Sequence, residues 1–265
     1  METFSFILPS PLLSPYIKHY WILKINETNP ISERIIPTGF MQLVFHRGDK
    51  MKSLTHNKLQ PQSFICGQSD SYTNLESTGK VNMIVVVFHP FGAKTFFPMS
   101  MNEFYGMNIS LKDLGDQSLK ELEERIHETP DNYEAIKLIE EYLTPRLYRF
   151  DNYNSKRISK VIDSINSKHQ PNITQLSNIA CLSYKQFNRI FTEYVGVTPK
   201  EFTRIIRFQR TLYMLQQNPN IDIMQIIVDC GYYDQSHLIK EFRNFSGYTP
   251  FEFIAIYDPY SDYFS

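Results

Sequence analysis

The sequence predicts an α+β chain in which strands come first and helices last, and three observations carry that reading. Short runs rich in Val, Ile and Phe, separated by Gly, Asn, Asp and Lys, fill roughly the first hundred residues without helical periodicity. Beyond Gln117 apolar residues recur every three to four positions. The phrase Gly-x-Thr-Pro-x-Glu-Phe occurs at Gly196–Phe202 and again, 51 residues on, at Gly247–Phe253. Each copy closes a short apolar helix, a tight turn and a second helix. The front is therefore expected to be a small β-sandwich or barrel, and the back an all-α domain with two helix-turn-helix units joined by a long helix.

Residues 4–21 are aromatic and proline-punctuated, with Pro9, Pro11 and Pro15 ahead of Tyr16, Tyr20 and Trp21, and read as a packed extended edge. Ser32–Pro37, Met41–His46, Ser63–Gly67 and Asn82–His89 read as strands. After Phe91-Gly92-Ala93-Lys94 the period changes. Gln117–His127 and Tyr133–Leu147 read as amphipathic helices, with Leu119, Leu122 and Ile126 on one apolar face, Ile136, Ile139 and Leu143 on the other, and largely acidic polar sides. Arg149–Ser155 is polar and irregular, a linker, and a further helix starting near Lys156 carries Ile158, Val161, Ile162 and Ile165.

In the first repeat Ser183 is a suitable N-cap, and Phe187, Ile190, Phe191 and Tyr194 make one apolar stripe. The opposite side carries Lys185, Gln186, Asn188, Arg189 and Thr192, a set able to bond base edges and phosphates in a major groove. In the second repeat Asp234 caps, Leu238, Phe242 and Phe245 form the stripe, and Gln235, Ser236, His237, Lys240 and Arg243 face outward. Thr198 and Thr249 read as caps with Pro199 and Pro250 at N1 and Glu201 and Glu252 closing capping boxes. Gly196 and Gly247 suit the left-handed residue that ends the preceding helix. Pro199–Gln216 then reads as the connecting helix, with Phe202, Ile205, Ile206, Phe208 and Leu212 inward and Arg204, Arg207 and Arg210 outside. Two second helices held about one duplex turn apart, ~34 Å, enter successive major grooves.

From Ser155 to Ile256 these residues resemble the DNA-binding domain of the AraC/XylS-type transcription regulators. The resemblance rests on Leu176-x-x-Ile179-Ala180, Ser183–Phe191, the repeated phrase, Ile226–Gly231-Tyr232 and Asp234-Gln235-Ser236-His237-Leu238. Cys181 departs from the pattern, standing where the family usually has glycine, which predicts a strained turn. The resemblance implies that Lys185, Asn188 and Arg189 in the first unit and Gln235, Ser236, His237 and Lys240 in the second face the groove, with Gln186 and Arg243 beside them. Phosphate contact or plain solvation is the bland alternative. Less specifically, IIPTGFMQLVF and VVVFHPFGAKTFF are similar to the β-rich sensor halves of some such regulators. The expected division is a β-rich sensor or dimerisation domain over 1–108, bridging helices and linker over 109–154, the DNA-binding domain over 155–257, and a tail over 258–265 with no assigned role. Double-stranded promoter DNA is the implied partner. A small-molecule effector, a homodimer and, for an activator, RNA polymerase stay open.

With 42% hydrophobic and 21% charged residues in 265, the composition suits two soluble domains. The net charge of −1 hides an asymmetry, since residues 156–253 hold 12 Lys/Arg against 8 Asp/Glu and residues 1–154 hold 15 against 18. Cys66, Cys181 and Cys230 are an odd set at unrelated spacings, with Cys181 and Cys230 expected as small buried residues at the turns of a cytoplasmic, reduced protein. No signal peptide and no membrane-spanning run is read. An enzyme reading, a cupin-like metalloenzyme or repair protein fused to a DNA-binding tail, rests on His46 and His89 as metal ligands or Cys66 as a nucleophile. Two isolated histidines do not complete a three-ligand site and no base is tied to Cys66, so neither cofactor, metal nor catalysis is expected. Phe45, Phe64, Phe88, Phe91, Phe96 and Phe97 either line a ligand pocket or fill a core, and core is preferred. A helical adaptor that binds protein through the repeats is a third reading.

Overall fold

In the computed structural model, residues 2–27, 29–149, 152–167, 171–257 and 262–264 are described. The front of the chain supplies strands β1 (Glu2–Ile7), β2 (Ile17–Ile25), β3 (Ser32–Ile35), β4 (Gln42–His46), β5 (Met51–Ser53), β6 (Lys58–Leu59), β7 (Ser63–Cys66), β8 (Thr73–Ser77), β9 (Val81–Phe88) and β10 (Asn108–Ser110). They form two antiparallel sheets, one ordered β1-β2-β9-β4-β7-β10 and the other β3-β8-β5-β6. β9 shows why the strand pattern is a continuous apolar run. Its period of two sends Met83, Val85 and Val87 toward the smaller sheet with Met51 and Leu75, and Ile84, Val86 and Phe88 toward the helices on the other face.

Helix α1 (Gly92–Phe96) follows β9, and α2 (Gln117–Glu128) and α3 (Asn132–Leu143) cover the larger sheet with Leu119, Leu122, Ile126, Ile136, Ile139 and Leu143. Asp116 and Asp131 cap these two helices. The apolar face of the second amphipathic stretch is as expected, but its helix stops at Leu143. Pro145 has no N–H to continue the ladder, and the chain runs on as a 3-10 turn over Thr144–Arg149. The next helix, α4 (Asn152–Asn166), begins four residues before the expected Lys156, so most of the stretch read as an irregular linker is helical, and residues 150 and 151 lie outside the described ones.

The remaining helices are α5 (Ile173–Ile179), α6 (Tyr184–Val195), α7 (Pro199–Gln217), α8 (Ile223–Cys230), α9 (Gln235–Ser246) and α10 (Pro250–Ile256). They enclose two cores strung along α7. Phe187, Phe191 and Phe202 anchor one, with the Phe191 and Phe202 rings 5.6 Å apart. Phe208, Phe242, Phe245 and Phe253 anchor the other, with Phe208 5.0 Å from Phe242.

The two halves of the chain dock closely. Gln209 on α7 donates to the Pro37 carbonyl at 2.7 Å, Asn244 to the Asp70 carbonyl at 2.8 Å, and Lys94 lies 3.4 Å from Glu193. The tail, to which the sequence assigned nothing, takes part. Tyr263 stacks flat on Phe40 at 4.9 Å, and Lys18 donates to the carbonyls of Asp262 and Tyr263 at 2.6 and 3.0 Å.

Candidate nucleic-acid interface

Each candidate reading helix is set by its own cap. Ser183 accepts the Gln186 N–H and Gln186 Oε1 accepts the Ser183 N–H, a capping box that starts α6 at Tyr184. Asp234 accepts the His237 N–H at 2.7 Å and starts α9. Thr198 with Glu201 and Thr249 with Glu252 make capping boxes as well, each with proline at N1. Gly196 and Gly247 end α6 and α9 with φ of 92° and 81°. In the turn of the second unit Gly231 has φ 71°, whereas Cys181 in the first adopts φ 52° with a side chain attached. Cys181 is exposed, which corrects its expected burial, while Cys230 is buried with its thiol pushed up to about 11 by that burial.

On α6 the apolar stripe Phe187, Ile190, Phe191 and Tyr194 is buried as predicted, leaving Lys185 and Arg189 exposed and Asn188 half-buried, none with a partner among the described residues. Gln186 is exposed but spends its Oε1 on the cap. On α9 Gln235, Ser236 and Lys240 are exposed without partners among the described residues, and Arg243 lies 3.6 Å from Glu252. The structure thus brings Lys185, Asn188 and Arg189 onto one face and Gln235, Ser236 and Lys240 onto another, and sets His237 apart. Its Nδ1 accepts the Tyr233 N–H at 3.2 Å and its Nε2 lies 3.7 Å from Glu241 Oε2. The ring thus contacts the helix start and Glu241 beneath it, unlike the side chains beside it that have no partner among the described residues.

That support was not legible as such. Glu241, 4% exposed, accepts from Arg204 Nε at 2.9 Å and lies 3.5 Å from Arg207 Nε. Arg204 and Arg207, expected on the solvent side, instead tie α7 to α9. Arg210 turns back to the carbonyls of Ile165, Asn166 and Ser167 at the end of α4. In the first unit the position 51 residues earlier is Ile190, buried in the apolar core, so the two reading helices are seated by different physics. Sequence reasoning also passed over Tyr184, 62% exposed, and Tyr233, 90% exposed, at the starts of α6 and α9. An aromatic residue beside each cap was the available signal.

The front-half candidates His46, His89 and Cys66 are not brought together. His46 donates through Nε2 to Gln60 Oε1 at 3.0 Å and packs on Phe64. It stands opposite Met83 at one end of β9 while His89 follows the other end, about 20 Å away at strand rise, too far for one metal. Burial pushes the Cys66 thiol up to about 11, away from the thiolate a nucleophile needs. Phe45, Phe64, Phe88, Phe96 and Phe97 are buried core residues, with Phe91 packed against the first helical core. No group of three or more His, Cys, Asp or Glu among the described residues is arranged to hold a metal, and no described helix is long and apolar enough to cross a membrane.

Two capped helices with buried apolar stripes and open polar faces, seated on one connecting helix, define a tandem helix-turn-helix protein. Residues 176–255 match the family described as Helix-turn-helix domain, and residues 5–110 match a Domain of unknown function (DUF6597). Residues 176–255 thus carry a helix-turn-helix domain of the AraC type. It is 28% identical over 100 residues to an uncharacterized HTH-type transcriptional regulator of Haemophilus influenzae, covering 37% of this chain and 33% of that protein. It is 33% identical over 78 residues to the HTH-type transcriptional regulator ArgR of Pseudomonas aeruginosa, covering 29% of this chain and 23% of that one. The chain therefore spans a third or less of these two relatives. The probable transcriptional regulator LumQ of Photobacterium leiognathi is 22% identical over 183 residues, 67% of this chain and 73% of that protein. Among solved structures, ToxT from Vibrio cholerae aligns over 89% of this chain and 97% of that one, at 12% identity and a TM-score of 0.44.

Proposed function

We propose that the protein is a sequence-specific, DNA-binding transcription regulator whose helical domain, 155–257, reads duplex DNA and whose β-rich front, 1–108, conveys a signal to it through the bridging segment 109–154. The observation that carries this reading is the pair of helices on which Lys185, Asn188, Arg189, Gln235, Ser236 and Lys240 have no partner among the described residues while the inward stripes are buried. Arg189, Lys185 and Asn188 form the stronger base-reading set, since a guanidinium bonds guanine O6 and N7 bidentately and an asparagine bonds adenine N6 and N7. Gln235, Ser236 and Lys240 contribute from the second helix, and Gln186 and Arg243 suit backbone contacts. Tyr184 and Tyr233 are placed for deoxyribose, phosphate or thymine methyl groups.

Promoter DNA is the partner this face fits. An effector, a second copy of the chain and RNA polymerase belong to the same reading, as family implications. Selection of bound duplexes from a random pool, followed by binding at several salt concentrations, tests it. A recovered consensus with two half-sites and affinity falling steeply with salt supports the reading. Salt-insensitive binding, or no enriched sequence, overturns it.

A further inference from the structure

Both reading helices end on the front domain. At the end of α6, a Cβ on Gly196 would stand 3.1 Å from the Met101 carbonyl, and the neighbouring Glu193 meets Lys94. At the end of α9, a Cβ on Gly247 would stand 2.6 Å from Arg34 Nη1 and 2.9 Å from the Tyr72 ring. The duplicated glycine therefore has a second use besides its left-handed φ, because it lets each helix terminus press against the sandwich.

Arg34 is built into the second of these contacts. It stands on β3 opposite Asn74 on β8, and its Nε donates to Asn74 Oδ1 at 2.9 Å. Nη1 donates to the Ser246 carbonyl in the last turn of α9 at 2.8 Å, where a cation meets the negative end of the helix dipole. The guanidinium carbon lies 4.3 Å from the ring centroid of Tyr72 of the sandwich and 4.4 Å from that of Tyr248 of the helical domain. Ser246 is fully buried and is the last residue of α9, so its carbonyl has no intrahelical donor and is left for Arg34. These contacts leave the polar faces free, since Lys185, Arg189, Gln235, Ser236 and Lys240 remain exposed. The docking holds the helices without covering what they read.

We propose that Arg34 is a positioning residue for DNA recognition, fastening the second reading helix to the same sandwich that holds the first and so setting which half-site spacing the chain accepts. This rests on the DNA-binding reading above. The first core is built on Phe202 and Ile206 and the second on Ile205, Phe208, Leu212 and Leu215. Without the sandwich, bending of α7 and rolling of the second unit on it are resisted by side-chain packing and by the contacts of Arg204 and Arg207 with Glu241. Arg34 braces that motion from outside and touches no DNA itself.

The test uses full-length protein, the duplex selected by the wild type, and versions in which its half-sites are moved together or apart by one or two base pairs. Wild type is expected to lose about tenfold or more on displaced sites, and Arg34→Ala about threefold or less, with a few-fold loss on the parent site. Arg34→Lys should lie between, because an ammonium reaches the Ser246 carbonyl but cannot contact both rings while also bonding Asn74. Asn74→Ala, which removes only the Nε anchor, gives a weaker broadening and serves if Arg34→Ala does not fold. Hydrogen exchange at residues 244–248 should accelerate in Arg34→Ala with little change elsewhere. An unchanged spacing profile in Arg34→Ala and Asn74→Ala, even with weakened binding, overturns the proposal and leaves α7 as the spacer. A wild type that selects no DNA overturns the underlying reading instead, and unchanged exchange at 244–248 then also refutes the contact.

Discussion

Arg189 points an unpartnered guanidinium off α6, and the value of that geometry is direction, not charge, because a single cation adds little to a domain whose excess is modest. Arg189→Ala is expected to lose roughly 1–3 kcal/mol on the preferred duplex and to flatten preference at one base position, read on single-base operator variants at fixed salt. If the mutant keeps the wild-type ranking of every variant, Arg189 is a phosphate contact and the reading passes to Lys185, Asn188 or the second helix. Cys181 makes the opposite kind of prediction, about stability alone. A side chain in the left-handed region costs roughly 1–2 kcal/mol, and the extra unfolded-state freedom of glycine returns roughly 0.5–1 of it. Cys181→Gly should therefore stabilise the chain by roughly 0.5–1 kcal/mol in urea melts. A variant no more stable than wild type would mean that the turn carries no strain. His237 and Gln186 show the limit of residue-level reading. Both lie at outward positions, yet one turns to Tyr233 and Glu241 and the other to its own cap.

Elements were legible where one physical signal dominated. β4, β7 and β9 are strongly apolar, the caps of α7 and α10 are spelled in the repeated phrase, and Ser183 and Asp234 mark the starts of α6 and α9, so strands, helix starts and both turns follow from the residues. β6 and β8 are short and carry Lys58, Asn74 and Glu76, because one face of the smaller sheet looks outward, and nothing in their composition separates them from loops. The inward turn of Arg204 and Arg207 was hidden for another reason. It depends on Glu241, 37 residues away from Arg204 on another helix, and periodicity cannot see a tertiary partner. At the end of β4, His46 gives the sandwich a pH dependence. Burial holds its pKa down at about 4 against an ordinary 6.5, only partly offset by Gln60, so the folded state keeps it neutral. As pH falls below 6.5 the unfolded chain takes up the proton first, and stability is lost progressively down to about pH 4, by up to about 3 kcal/mol from this group. Burial and Lys18 hold His19 at about 4 as well, so the loss is shared. Urea melts at pH 7 and pH 4.5 should therefore differ less in His46→Gln than in wild type, and equal differences would mean that His46 is hydrated.

At the scale of the molecule, the chain solves two problems with one piece of architecture. The helical domain has its own two cores, anchored by Phe187, Phe191 and Phe202 and by Phe208, Phe242 and Phe245, and these are enough to fix each unit internally. What they do not fix is the disposition of one unit against the other, since only α7 is common to both. The sandwich supplies further ties across that joint through Arg34, Pro37, Asp70 and Lys94, and the tail adds Tyr263 on Phe40. A signal that altered the sandwich therefore has a mechanical route to both reading helices without reaching the DNA face. A fragment from Asn152 to the C-terminus is accordingly expected to stay helical by circular dichroism and to unfold cooperatively, but at a lower temperature than the same helices in the whole chain. It should still bind the selected duplex, more weakly, because its reading residues are intact while the ties across α7 are gone. A fragment that is unfolded at low temperature would show that the contacts with the sandwich are part of the fold of the helical domain. One that binds as tightly as the whole chain would show that α7 and the two cores alone carry the geometry.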